Sequence, residues 1–129
     1  MSADDLKALA RATQGMKHFA ARASVRDGVD GGLLIHLEGY LDGAAASVSM
    51  PVVLEVIEKW DGQPRVIFAL DKLEYLSSLG VGVLIAEKAI AQQRGFAHVL
   101  ENSQSAVRHV LELLGVFSYM STQERPSVT

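Results

Sequence analysis

The sequence predicts an α/β fold in one domain: a mixed β-sheet that opens with an N-terminal antiparallel hairpin, continues in β-α alternation, and is packed with helices. Three observations carry this reading. Short runs at period two, "HFAARASVR" and "LLIHLEGYL", flank the glycine-rich connection "GVDGG", which is the pattern of two paired antiparallel strands. The apolar run "RVIFAL" and the later "FAHVLE" have the character of strands covered on both faces. Between these strands lie helix-length segments, and crossovers of that length imply parallel pairing with right-handed connections.

Taken in order, residues 4 to 13 form a short helix capped by Ser2, with Asp4 and Asp5 in the first turn where the helix dipole favours acids. Its apolar stripe, Leu6 and Leu9 among alanines, is thin, so the helix is expected to dock on its own domain or on a neighbour. The expected organisation is an N-terminal helical extension over 1–15, the domain proper over 16–120, and a C-terminal tail over 121–129. In the second strand Leu33, Ile35 and Leu37 share one face. After "DGAAASVS", Val53, Val56, Ile57 and Trp60 fall at the spacing of a core-facing helical stripe. Pro51 lacks an amide hydrogen and clashes inside a helix, so that helix is expected to start near Ser49, with residues 43 to 48 as a separate turn. "RVIFAL" then leads through the linker "DKLEYLSS" to a helix whose stripe is Leu79, Val83, Ala86 and Ile90 and whose stop is Gly95. Ser103 or Ser105 caps a further helix striped by Val107, Val110, Leu111 and Leu114 and ended by Gly115. "FSYMS" is a candidate last edge strand, and "STQERPSVT" a loose polar tail.

Composition narrows the function classes. A chain of 129 residues with 49% apolar content fills one ordinary core. It has no cysteine, which removes disulfide scaffolds and thiolate metal sites. The start, "MSADDLKALARATQG", is acidic and lacks a long apolar stretch, so it matches neither a signal peptide nor a membrane anchor, and a cytoplasmic protein is expected. A net charge of −3 with few aromatics supplies no footprint for phosphate backbones, so no direct nucleic-acid binding is expected.

The chemistry concentrates in "EYLSSLGVGVLIAEKAIAQQRG", residues 74 to 95, where Ser77 and Ser78 stand at the carboxyl end of a buried strand and the start of a helix. Open α/β sheets place their sites at such ends. One serine serves as a helix cap worth ~1 kcal/mol. A serine there is also placed to carry a phosphate held by free amides and the helix dipole. Gly80, Gly82 and Ala86 form GxGxxxA, with Glu101 ending the next strand as a dinucleotide site requires. These glycines follow the serines into the helix, however, and leave no loop to wrap a pyrophosphate. Ser78 with Gly80 is half of a nucleophile elbow, but Leu76 stands where the first glycine belongs. His98, in a buried strand, and His109, on an outer helix face, read as structural or solvated, and no His and carboxylate pair has metal spacing. The expectation is a protein that is not an enzyme and takes no cofactor or metal.

Several segments together resemble the STAS domain of the anti-sigma-factor antagonist type. "LEGYLDGAAA" is similar to that family's strand end of glycine, variable residue, leucine and aspartate, and "VIFALDKLEYLSSLGVGVLI" to its strand, aspartate, linker and serine-rich helix start. "AQQRGFAHVLENSQSAVRHVLELLGV" is similar to the next strand and a helix ending in leucine-leucine-glycine, so the resemblance runs from about Phe19 to Tyr119. It implies a single STAS domain that binds a partner, an anti-sigma factor or serine kinase of the histidine-kinase-like ATPase type, and is released when that kinase phosphorylates a serine at this turn. By the same resemblance the partner-binding residues are Asp42, Gly43, Ser77, Ser78, Leu79, Gly80, Val81 and Val83, with Asp42 facing the serine.

The best-known form of that motif reads Asp-Ser-Ser/Thr-Gly, which on alignment at Gly80 places Leu79 at the acceptor and Ser77 at the aspartate. The sequence is closer to the variant with two serines, an apolar residue and glycine. Ser78 is therefore the first candidate acceptor and Ser77 the second. In a third reading neither is used and Leu79 makes a contact that is not switched. Asp71 is expected to bond amides of its own linker. The alternative function is a non-switching scaffold or sensory subunit of a homo- or hetero-oligomeric assembly, a homodimer included, using the N-terminal helix.

Overall fold

The computed structural model describes residues 1 to 126. The elements are α1 (Ala3–Thr13), β1 (Phe19–Arg26), β2 (Gly32–Leu41), α2 (Gly43–Lys59), β3 (Arg65–Leu76), α3 (Ser78–Gln93), β4 (Ala97–Glu101), α4 (Ser105–Leu113), a 3-10 turn at Phe117–Tyr119, and β5 (Ser121–Gln123). The strands form one sheet in the order β1-β2-β3-β4-β5. β1 and β2 are antiparallel, and every later pair is parallel. This is the mixed sheet the sequence predicts, with each parallel step bridged by a helix.

One face of the sheet carries the core. Leu33, Ile35 and Leu37 of β2, Val66, Phe68 and Leu70 of β3, and Leu100 of β4 meet Val53, Val56, Ile57 and Trp60 of α2, Val81 and Leu84 of α3, and Val107 and Leu111 of α4. On the opposite face, among the described residues, the buried apolar cluster is the small set Leu34, Ile67 and Ala69. The residues facing that way include Arg26 of β1 and Glu101 of β4, which form a two-pronged ion pair at 2.7 and 2.9 Å. The pair reaches across β2 and β3, and its planar geometry is the strong form of a charged hydrogen bond.

α1 packs against the rest of the fold. Ser2 and Asp5 make a reciprocal capping box, and Leu9 is fully buried in the common core. At its end Thr13 Oγ1 accepts from the Ala21 amide at 3.1 Å and donates to the Ala21 carbonyl at 3.3 Å. The helix thus docks on its own domain and closes part of the β1 edge, where unpaired backbone groups would otherwise invite another strand.

Several boundaries differ from expectation, each for a local reason. α2 is continuous from Gly43 through Pro51, with no separate turn at 43 to 48. Asp42 caps it through the Ala45 amide at 3.0 Å, and the alanines that follow are strong helix formers. Pro51 and Ser47, whose carbonyl loses its donor, are both exposed, so that carbonyl is not left in the core. "DKLEYL" is strand and not linker. β3 runs to Leu76 with two register shifts against β2, so Leu70, Leu73 and Leu76 point inward with two exposed residues between each. Of the expected α3 stripe Val83 is buried, Ala86 and Ile90 are half-buried and Leu79 is exposed, while Val81, Leu84, Lys88 and Ala91 are buried beside it. α4 starts after Gln104, whose side chain makes no capping bond and instead donates to the Asp71 carbonyl at 2.7 Å. Leu114 of its expected stripe is exposed.

The last strand starts at the final residue of the expected "FSYMS", Ser121, and the rest of that segment is mostly the 3-10 turn. Asn102, in the left-handed region at φ 55°, anchors β5: its side chain exchanges two hydrogen bonds with the Arg125 backbone, at 2.9 and 2.6 Å. Part of the expected loose tail is therefore ordered sheet edge, and residues 127 to 129 of that tail lie outside the described residues.

The core also holds three ionisable groups, Glu87, Lys88 and His98. Both ring nitrogens of His98 lack a partner among the described residues, and its ring packs 4.9 Å from that of Phe68. Burial, and secondarily the Lys88 charge, lower the His98 pKa to about 4, while burial raises that of Glu87 well above the carboxylate range. Only the unfolded chain protonates His98 between pH 6.5 and 4, so stability falls across that window by about 3 kcal/mol. Glu87 acts with the opposite sign: the unfolded chain loses its proton near pH 4.5 and the folded chain keeps it, so stability declines above that pH. Urea midpoints measured against pH are expected to lose the acid limb in His98→Leu and the alkaline decline in Glu87→Gln.

Candidate functional site

β2 and β3 end side by side, with Leu41 opposite Leu76 in register. Each leucine is buried and is followed at once by a helix cap, Asp42 for α2 and Ser77 for α3. The Leu41 carbonyl joins the two. It accepts from the Ser77 amide at 3.1 Å and from the Ser77 hydroxyl at 3.2 Å. The same hydroxyl accepts from the Gly80 amide at 3.1 Å. Ser77 Oγ is therefore used as both donor and acceptor in starting the helix.

Gly80 packs against that junction. A Cβ there would lie 2.5 Å from the Leu41 carbonyl oxygen and 2.8 Å from Leu76 Cδ1. Gly82 differs: it is exposed, with nothing within 4 Å of its Cβ position. GxGxxxA thus serves helix packing at its first glycine, inside α3 and not in a phosphate-binding loop.

The predicted binding residues separate into two groups. Asp42, Gly43, Ser77, Ser78 and Leu79 come together at the two helix starts. Leu79 is 66% exposed and its Cδ1 lies 3.1 Å from where a Gly43 Cβ would stand, so it bridges the start of α3 to that of α2. Ser78, beside it, is exposed. Gly80, Val81 and Val83 are buried; they hold α3 in place and are not presented to a partner. The Asp42 carboxylate turns to its own helix, at Ala45. Asp71 lies in β3, its carbonyl accepting from Gln104, so it does not organise a linker. His98 is buried and His109 exposed, on separate elements.

Gly82, which lies within the expected contact segment from Ser77 to Val83, is exposed, and so is Val48 of α2, to which the sequence gives no role. The available signal was spacing: with Gly80 inward, residues 78, 79 and 82 fall on the outward face of a helix.

A STAS domain model matches residues 20 to 128. The chain belongs to the STAS domain family. Three solved structures share the fold of this STAS domain. SpoIIAA, an anti-sigma factor antagonist, in its unphosphorylated form is 18% identical with a TM-score of 0.65, over 81% of this chain and 89% of that one. An anti-sigma factor antagonist from Mycobacterium paratuberculosis is 19% identical with a TM-score of 0.61, over 84% and 88%. The Bacillus cell fate determinant SpoIIAA in its phosphorylated form is 17% identical with a TM-score of 0.60, over 81% and 92%. No curated protein matches by sequence. At these identities the likeness is one of fold.

The two glycines of α3 in this STAS domain are expected to respond oppositely to a methyl group. Gly80→Ala should cost about 2 kcal/mol or more through overpacking against Leu41. Gly82→Ala should gain roughly 0.5–1 kcal/mol from helix propensity. Chemical denaturation of the two variants checks both signs.

Proposed function

We infer that this STAS domain is an anti-sigma-factor antagonist of the partner-switching kind, without catalytic activity of its own and acting in the cytoplasm. Its partner is an anti-sigma factor that is a serine kinase of the histidine-kinase-like ATPase type. The contact surface is the pair of helix starts, with Leu79 as the apolar anchor and Asp42, Gly43, Ser77, Ser78 and the open surface at Gly82 around it.

The observation that carries this reading is the division of labour between the two serines. Ser77 is occupied as the cap of α3, with its hydroxyl between Gly80 and Leu41. Ser78 is exposed at the first position of a 16-residue helix. The acceptor is therefore Ser78, one residue earlier than in the best-known motif. That a solved fold relative is a phosphorylated SpoIIAA supports a switch of this kind.

The physical consequence of modification follows from its position. A phosphate adds about −1.5 to −2 charges, and at a helix N-terminus free amides and the dipole accommodate it. The fold survives modification and only the docking face changes. Beside Leu79 and Asp42 the new charge must stay hydrated, which removes a dehydrated apolar contact and adds repulsion to any acidic group on the partner. Binding energy concentrates in a few buried groups, so losing one such contact suffices for release.

Incubation with the cognate kinase and ATP, followed by peptide mass spectrometry, is expected to place the phosphate on Ser78. Ser78→Ala should block modification while retaining binding. Leu79→Ser should weaken the complex by roughly tenfold or more. A chain that binds but stays unmodified would overturn the switch and leave a constitutive competitor. A phosphate on Ser77 would overturn the assignment to Ser78.

A further inference from the structure

The sheet face away from the helices has a second feature at the same strand ends. Tyr40 of β2 and Tyr75 of β3 are opposite each other in register, each 46% exposed, with ring centroids 5.6 Å apart. His18 extends the row, 6.0 Å from Tyr40. The sheet is irregular at this place. Gly39 has φ +90° because the His18 carbonyl lies where its Cβ would be, and the Tyr40 amide donates to that carbonyl at 2.7 Å. One register shift falls between Gly39 and Tyr40, pairing Tyr40 with Tyr75 and leaving Glu74 as the extra residue. Irregularities of this type re-aim side chains, and here they turn Glu74 and Tyr75 outward together.

Tyr40, Glu38 and Glu74 line one hollow of about 280 Å³. Among the described residues, no ion pair involves Glu38 or Glu74. Lys17 is also on the rim, and Lys72, opposite Glu38 in register, lines the adjoining hollow with Asp71, Glu38 and Glu74; three carboxylates against two ammonium groups leave the pair of hollows one negative charge in excess. Two offset aromatic rings beside unpaired carboxylates attract a flat cation: the ring faces are negative, and a guanidinium stacks on them while hydrogen bonding in its plane to a carboxylate. An ammonium makes only the point-charge contact.

We propose that the open sheet face at Tyr40, Tyr75, Glu38 and Glu74 is a second docking surface, for an arginine-bearing segment of a partner protein. It is separate from the helix starts and holds whether or not Ser78 is modified.

The test is a titration of the isotope-labelled 129-residue chain with hexa-arginine and, in parallel, hexa-lysine, followed by amide chemical shifts. The expected result is shifts concentrated at residues 38 to 40 and 74 to 75, with hexa-arginine the tighter ligand by roughly three- to fivefold. Tyr75→Ser and Glu74→Gln should each weaken hexa-arginine by a similar factor. Both residues are exposed, and Glu74→Gln keeps the side-chain shape, so a folded variant is available. Shifts scattered over the acidic surface, equal affinity for the two peptides, or full binding by both variants would overturn the proposal.

Discussion

One carbonyl group positions the two helix starts at the end of β2 and β3. The Leu41 oxygen takes two hydrogen bonds from Ser77 and has Gly80 packed against it. The residue after Leu41 caps α2, and the residue after Leu76 caps α3. A backbone acceptor buried at a strand end needs its donors, and here a serine amide and hydroxyl satisfy it while fixing the angle at which α3 leaves the sheet. The bare α-carbon of Gly80 allows the approach. Because α3 sits this close, Leu79 has no place in the core and lies across Gly43. The exposed leucine is thus a consequence of the packing beneath it.

The sheet itself is asymmetric in how its faces are sealed. The helix side relies on ordinary apolar burial, but it also encloses His98 and Glu87, whose charged forms burial disfavours, at the cost of pH-dependent stability. On the other side, no helical stripe joins Leu34, Ile67 and Ala69, and the Arg26–Glu101 pair spans the central strands. A pair so placed is weak evidence of net stabilisation, since desolvation offsets attraction. Its geometric effect is firmer: it ties the first strand to the fourth, so a slip in any pairing between them would separate two nearly buried charges.

The parts of this fold legible in the sequence were those with a regular period. The hairpin, the alternation, α1 with its Ser2 cap, the α2 stripe and the αL stop at Gly95 follow from spacing and cap chemistry. The errors have a common origin in places where tertiary structure changes the period. In β3 two bulges convert alternation into one buried residue in three, so "DKLEYL" has neither a strand's nor a helix's pattern. β5 is polar and short, specified by the β4 edge and by Asn102 rather than by its own residues. In α3 the spacing of Leu79, Val83, Ala86 and Ile90 suggests a stripe, whereas Gly80 makes the close contact with Leu41. Pro51 was read as a break because the sequence does not tell which face of α2 meets water. At the site, the helix cap was legible only as one of two adjacent serines, and the Leu41 carbonyl and the Gly80 amide assign it to Ser77.

The bulges of β3 also explain why one end of the sheet presents chemistry on both sides. In β2 the inward and outward residues alternate without interruption from Leu33 to Leu41, so Tyr40 points away from the core and Leu41 into it. A regular β3 paired with it from Ala69 would reach the level of Leu41 with Glu74 (His36 to Leu41 is five steps in each strand), which would set a carboxylate where Leu76 is buried. The two extra residues bring Leu76 to that level instead, and they add Lys72 and Glu74 to the solvent side. Deleting one residue between Leu70 and Leu76 would therefore misplace Ser77 relative to the Leu41 carbonyl and separate Tyr75 from Tyr40 in the same step. The helix-start surface and the tyrosine surface are distinct in chemistry, yet the same irregularity in one strand sets the register of both.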